Sequence, residues 1–98
     1  MNMQAMMKQA QQLQQKMLKT QEEINNTEFE GKSSIVSVVM TGDKKLKSIK
    51  IDSESMDKDD IEALEDMIVI AVNDALNKIN KETEEKMGAY TKGIPGLF

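Results

Sequence analysis

From Met3 to Ile24 a set of mostly apolar positions recurs at alternating steps of three and four: Met3, Met6, Ala10, Leu13, Met17, Thr20 and Ile24. That spacing is the a/d seam of a coiled coil held for about three heptads. Gln, Lys, Met, Leu and Ala, all good helix formers, fill the positions between. The pattern predicts a helix over about residues 2–25, broken by Asn25-Asn26-Thr27. A helix with so narrow an apolar stripe is marginal in water by itself, so its seam asks for another helix.

The period then changes from helical to alternating. Ile35 to Thr41 is rich in β-branched residues, with Val36, Val38 and Met40 on one face. Gly42-Asp43 marks a turn, and Lys47 to Asp52 alternates again with Ile49 and Ile51 inward, which predicts a hairpin. Glu28-Phe-Glu-Gly31 reads as a third, edge strand ending at its glycine, so the strands occupy about residues 28–52.

A second helix is predicted over about residues 58–87. Asp57 is its candidate N-cap, and Asp59, Asp60, Glu62, Glu65 and Asp66 crowd the positive end of the helix dipole. Gly88 stands where a C′ glycine would end it. The inward stripe is Ile61, Leu64, Ile68, Ala71 or Val72, Ala75 and Ile79, yet Met67 to Val72 is apolar on every face. A small sheet covers only one side of such a helix, so the other side calls for a second copy of the chain. Met67, Ile68, Ile70, Ala71 and Val72 are the candidate dimer interface. The last stretch, 88–98, holds the only proline and is expected to be irregular. The expected architecture is α+β: one domain of order α-β-β-β-α, with a three-stranded antiparallel sheet and two helices, dimerising through the helical layer.

Composition sharpens this picture. A chain of 98 residues buries little surface, and stability then rests on disulfides, a metal or a partner. Cysteine and histidine are both absent, which removes disulfides and the favoured metal ligands and leaves oligomerisation. The same absence removes the commonest acid–base group and the commonest activated nucleophile. No Ser–Lys or paired-carboxylate spacing replaces them. The acid run from Asp52 to Asp66 lacks the central glycine and terminal glutamate of a calcium loop. No catalytic site, metal, cofactor or small-molecule substrate is expected. Polar residues interrupt the apolar pairs of the first turn, and the run Met67–Val72 is too short to span a bilayer. A cytoplasmic protein with no membrane partner is therefore expected.

The net charge is −4, but its distribution matters more than its sum. Between residues 1 and 21 the only charged side chains are Lys8, Lys16 and Lys19. With the seam fixed, Lys8, Gln12, Gln15 and Lys19 fall on the outer c and f positions, and Lys16 lies at the rim. Such a face suits phosphate contact, lysine by charge and glutamine by hydrogen bonds, and it equally suits a plain solvated helix surface. Lys44, Lys45, Lys47 and Lys50 ring the hairpin turn. They offer a secondary phosphate contact, or the usual lysine guard against edge-to-edge strand pairing. Lys78, Lys81 and Lys86 sit among glutamates, and pairs such as Glu82–Lys86 account for them. Met7 and Leu18 lie off the seam and could mark an apolar patch for a partner. Arginine is absent and the aromatics are only Phe29, Tyr90 and Phe98, which argues against base-specific readout and against a single-strand stacking platform.

Several stretches together resemble the YbaB/EbfC family of bacterial nucleoid-associated proteins. They are Met7-Lys-Gln-Ala-Gln-Gln-Leu-Gln-Gln-Lys-Met17, Gln21-Glu-Glu-Ile24, Leu64-Glu-Asp-Met67, Ala71-Val-Asn-Asp-Ala-Leu-Asn-Lys78 and Met87-Gly-Ala-Tyr-Thr-Lys-Gly-Ile-Pro-Gly-Leu-Phe98. The resemblance implies a homodimer whose helices project from a shared helical layer. It also implies binding to double-stranded DNA with an effect on DNA conformation, a place at the nucleoid, and no cofactor. Members of that family often carry a glycine-rich turn between the first two strands, where this chain has the shorter Gly31-Lys-Ser-Ser34. With the resemblance, Lys8, Gln12, Gln15, Lys16 and Lys19 become the expected DNA-contacting set, with Lys44, Lys45 and Lys47 secondary. The competing expectation is a non-enzymatic adaptor that uses its projecting helices as coiled-coil partners.

Overall fold

The computed structural model describes residues 2–57 and 59–91. The chain runs through α1 (Met3–Asn25), β1 (Glu28–Ser33), β2 (Val36–Thr41), β3 (Lys45–Ile51) and α2 (Ile61–Thr91), with a 3-10 turn at Ser53–Ser55 before α2. The strands form one antiparallel sheet in the order β1-β2-β3, so the α+β order read from the sequence is the observed one. Asn2 caps α1, its side-chain oxygen accepting from the Gln4 N–H at 3.0 Å.

Alternation along β2 sends Val36, Val38 and Met40 to one face, where they are buried against Ala71, Ala75 and Ile79 of α2. The small α2 residues allow close approach, and β1 uses it. A Cβ at Gly31 would lie 2.0 Å from the Ala71 carbonyl oxygen and 2.9 Å from Ala75 Cβ. Gly31 therefore does not end β1, as the sequence suggested. It seats the strand on the helix, and β1 continues to Ser33. The Ser33–Val36 pair then closes a two-residue loop, Ser34-Ile35, in which Ser34 takes a φ of 52°, the positive φ that two-residue hairpin loops demand. The second hairpin has a three-residue loop, Gly42-Asp43-Lys44, ending on Lys44 at φ 66°. Gly42 is the other close approach, since a Cβ there would sit 1.8 Å from the Ile24 carbonyl oxygen. That contact docks the end of α1 on the hairpin turn.

Both ends of the second helix and one position of its inward stripe differ from the sequence reading. Its N-cap is Asp60, whose carboxylate accepts from the Ala63 N–H at 3.1 Å; Asp57 instead organises the preceding turn by accepting from the Asp59 N–H. Ile61, placed on the inward stripe, is 63% exposed because it lies in the first turn of the helix, ahead of the core. Gly88 does not stop the helix, which continues through it to Thr91. The Tyr90 hydroxyl is 3.0 Å from Thr20 Oγ1, which ties the last turn of α2 to α1. Of the expected irregular stretch 88–98, residues 88–91 are thus helical, and 92–98 lie outside the described residues.

One helix covers two strands of the three. Ile49 pairs with Val38 and so shares its face, yet it is 44% exposed. A bulge between Val39 and Met40 also brings Leu46 opposite Met40, on the same open face. Beyond the sheet, α1 and α2 leave side by side, antiparallel. The radius of gyration is 19.5 Å, against about 13 Å for a compact chain of this length, and the long dimension is 70 Å. Along the α1 seam, Ile24 is buried, Thr20, Met17 and Leu13 are half-buried, and Met6 and Met3 are 49% and 75% exposed.

Candidate nucleic-acid interface

The helical period brings Lys8, Gln12, Gln15, Lys16 and Lys19 onto one exposed stripe of α1. Gln12, Gln15, Lys16 and Lys19 line a shallow, open depression. At 1.5 Å per residue the stripe runs about 16 Å from Lys8 to Lys19, roughly half a helical turn of duplex DNA.

What separates these lysines from most others is the lack of a counter-charge. Lys32, Lys45, Lys47, Lys78 and Lys86 each pair with a carboxylate: Glu30, Asp43, Glu28, Asp74 and Glu82 respectively. Lys8, Lys16 and Lys19 pair with none among the described residues, and α1 carries no acid before Glu22. An unpaired ammonium group can displace the cations condensed on a duplex phosphate with its full charge; a paired one has already spent part of its attraction.

The hairpin cluster differs in this respect. Thr41 donates a hydrogen bond to the Asp43 carboxylate, which chiefly lowers its pKa, and Lys45 adds a coulombic pull the same way. Asp43 thus stays ionised at the turn and offsets Lys45. Lys47 is held by Glu28 from two strands away, which leaves Lys44 of the three secondary candidates unpaired. Lys86 pairs with Glu82 at 3.0 Å, as its spacing suggested.

Lys78 does more than the sequence indicated. Its ammonium donates to the Glu30 carbonyl at 2.7 Å, while Asp74 accepts from the Lys32 N–H at 3.0 Å. Two α2 side chains therefore satisfy groups along the outer edge of β1. The Lys32 N–H is the main cause of the lowered Asp74 pKa.

The candidate dimer residues divide. Ile70 is exposed, whereas Met67, Ile68 and Val72 are half-buried against the core. Ala71 is wholly buried beneath β1, so it has no surface left for a second chain. Val69, Leu46 and Ile49, which the sequence reading did not propose, are exposed apolar residues. The missed signal was arithmetic: one helix cannot roof three strands whose inner positions are mostly apolar. Among the described residues, no three His, Cys, Asp or Glu side chains are grouped to hold a metal, and no helix is long and apolar enough to cross a membrane.

Comparison with known proteins agrees with this layout. The family model described as the YbaB/EbfC DNA-binding family matches residues 1–94. A protein of Lactococcus lactis subsp. cremoris named nucleoid-associated protein is 55% identical over 97 residues, covering 97% of this chain and 98% of that one. Proteins of the same name from Ligilactobacillus salivarius and Enterococcus faecalis are 52% and 47% identical. Those matches cover 99% and 98% of this chain, and 95% and 94% of theirs.

Proposed function

The chain belongs to the YbaB/EbfC DNA-binding family, and from that membership and the unpaired lysines of α1 we propose that it binds double-stranded DNA with little sequence preference. It acts as a homodimer at the nucleoid, in the cytoplasm, and alters DNA conformation there, with effects on nucleoid organisation or gene expression. It is not an enzyme and needs no cofactor. The observation that carries the reading is the acid-free stripe of Lys8, Gln12, Gln15, Lys16 and Lys19, whose cations are unpaired while most other described lysines are paired. Phosphate contact needs only charge and amide donors, and the stripe supplies both. Lys44 adds a secondary contact; Lys45 and Lys47 contribute less, being offset by Asp43 and Glu28.

The homodimer is supported by the uncovered apolar surface. Leu46 and Ile49 on β3, with Val69 and Ile70 on α2, are exposed, and Val72 and Met67 adjoin the core. The β1 edge is capped by Asp74 and Lys78, so the open side of the sheet is β3. A second copy seated there covers the inner face that α2 leaves bare.

The test is fluorescence anisotropy of a labelled random duplex, titrated with protein across salt. Log affinity should fall linearly with log salt, with a slope near −0.9 per phosphate neutralised. Replacing Lys8, Lys16 and Lys19 together by Gln should flatten the slope by up to about 2.7 per protomer, or about 5.4 per dimer. An unchanged slope refutes the assignment of the stripe. A second reading, an adaptor that binds other proteins, draws on the exposed Met7 and Leu18 of α1. Reversing the three lysine charges abolishes duplex binding under the first reading and spares a protein pull-down under the second.

A further inference from the structure

Among the described residues, the α1 seam is longer than the cover it receives. Its heptad spacing runs unbroken from Met3 to Ile24, but α2 accompanies only the later part: Thr20 meets Tyr90, and the seam is exposed at Ala10, Met6 and Met3. About ten residues of helix, some 15 Å, extend past Leu13 toward the N-terminus. That stretch propagates from the anchored part of α1 and presents its apolar stripe with no cover among the described residues.

The flanking positions indicate which partner. In a coiled coil the e and g residues beside the seam select it by charge. Here, between Met3 and Leu13, they are Met7 and Gln9, and the next is Gln14; no charge flanks the seam until Lys16. A neutral rim attracts no oppositely charged helix and repels no identical one. Met7 at e widens the apolar stripe on the side where an identical chain presents the same residue. Meanwhile Lys8, Gln12 and Gln15 stand at c and f, pointing away from the seam, so pairing leaves them free.

We propose that the N-terminal half of α1 is a self-docking prong, its Met3-Met6-Ala10-Leu13 seam covered by the same segment of a second copy. The paired prong carries a basic, amide-rich face on each side, and so joins two stretches of duplex. That last consequence rests on the proposed DNA contact; the docking itself does not. Two heptads per copy bury far less than the ~1,200 Å² from which stable interfaces start. The pairing is therefore weak in free solution and strengthens when DNA concentrates the prongs.

The absence of cysteine makes the test direct. Met6→Cys and Ala10→Cys place one thiol at a d and one at an a position, and Gln12→Cys places one on the outer face. Parallel pairing cross-links each seam variant with itself, and antiparallel pairing cross-links the two when mixed. Oxidation with a random duplex present should yield disulfide-linked chains at least tenfold faster at a seam position than at residue 12, with helicity by circular dichroism unchanged. Equal rates at the seam and at residue 12 overturn the proposal. So does a thiol at residue 10 that is shielded from maleimide in dilute protein, because the seam is then covered by its own chain. Anisotropy in the same samples separates the two claims. Cross-linking without duplex binding removes the DNA reading and leaves the docking; duplex binding without cross-linking does the reverse.

Discussion

Replacing Gly31 by Ala tests the packing on which the whole layout depends. The added methyl would sit 2.0 Å from the Ala71 carbonyl oxygen, 2.7 Å from the Ala75 nitrogen and 2.9 Å from Ala75 Cβ. Carbon and oxygen come no closer than about 3.3 Å even in weak C–H···O contacts, so strand and helix must part by about 1 Å. Two of the three neighbours are backbone atoms of α2, which cannot rotate aside. A gap of 0.5–1 Å forfeits roughly a quarter to a half of each van der Waals contact it opens. The contacts at risk join Val36 and Val38 to Ala71, Ala75 and Ile79, the buried centre of the molecule. Overpacking of a filled core costs about 1–3 kcal/mol, and a clash with fixed backbone belongs at the top of that range. Alanine's better strand conformation returns about 0.5–1 kcal/mol. The expected net loss is about 2 kcal/mol. Urea unfolding followed by circular dichroism reads it as a fall of about 1–2 M in midpoint, taking m near 1–2 kcal/mol/M. Wild type and variant must be compared at one protein concentration, because the proposed dimerisation would couple stability to it. A midpoint shift below about 0.3 M would refute the close strand–helix contact.

Three further outcomes follow from single positions. Gly88→Ala should raise stability by about 1 kcal/mol, because Gly88 lies inside α2 with nothing among the described residues within 4 Å of an added Cβ; a loss of similar size would mean that the helix ends there. Lys44→Gly should also stabilise in urea, by about 0.5–1 kcal/mol, since a φ of 66° strains lysine by roughly 1–2 kcal/mol and glycine's unfolded freedom offsets part of the relief. Asp74→Asn should lower stability at neutral pH. The folded pKa of Asp74 lies below its ordinary 3.8, so its contribution is present above that value and is lost as pH falls through the folded one. The difference between wild type and variant should therefore stay constant above about pH 5 and shrink below 3.8, and a difference that grows with acidity would refute the Lys32–Asp74 bond.

Periodicity made much of this legible in advance. The three-four spacing from Met3 to Ile24 fixed which face of α1 carries Lys8 and Lys19, and alternation along Val36, Val38 and Met40 fixed the core face of β2. Both are local repeats, readable without knowing what lies opposite. Gly31, Gly42 and Gly88 are indistinguishable as letters, yet one seats a strand, one docks a helix and one merely interrupts nothing; the difference lies in the backbone facing each. Asp57 and Asp60 both cap turns, and only the trace of the chain decides which begins α2. Leu46 was hidden by a bulge, because strict alternation from Ile49 and Ile51 assigns it to the polar face. The offset of Lys47 was equally invisible, since Glu28 lies nineteen positions away in sequence and two strands away in space.

The net charge of −4 and the proposed DNA-contacting surface are reconciled by where the acids are held. Glu28, Glu30, Asp43, Asp74 and Glu82 are paired with lysines of the sheet and of α2. The acids with no ion pair among the described residues concentrate between Asp52 and Asp66, around the start of α2. The unpaired lysines of α1 lie toward the other end of a molecule 70 Å long, far beyond the Debye length of about 8 Å at physiological salt. At that ionic strength the acids at the start of α2 are screened from α1, and a phosphate near Lys8 and Lys16 meets no acid of α1 before Glu22. At low salt the Debye length grows to about 30 Å, and the acidic end then repels duplex as the basic end attracts it. Under the proposed function this repulsion turns the molecule so that α1 approaches first. Neutralising the acids from Asp52 to Asp66 should therefore change the association rate at low salt more than at physiological salt, and leave the phosphate count from the salt slope unaltered.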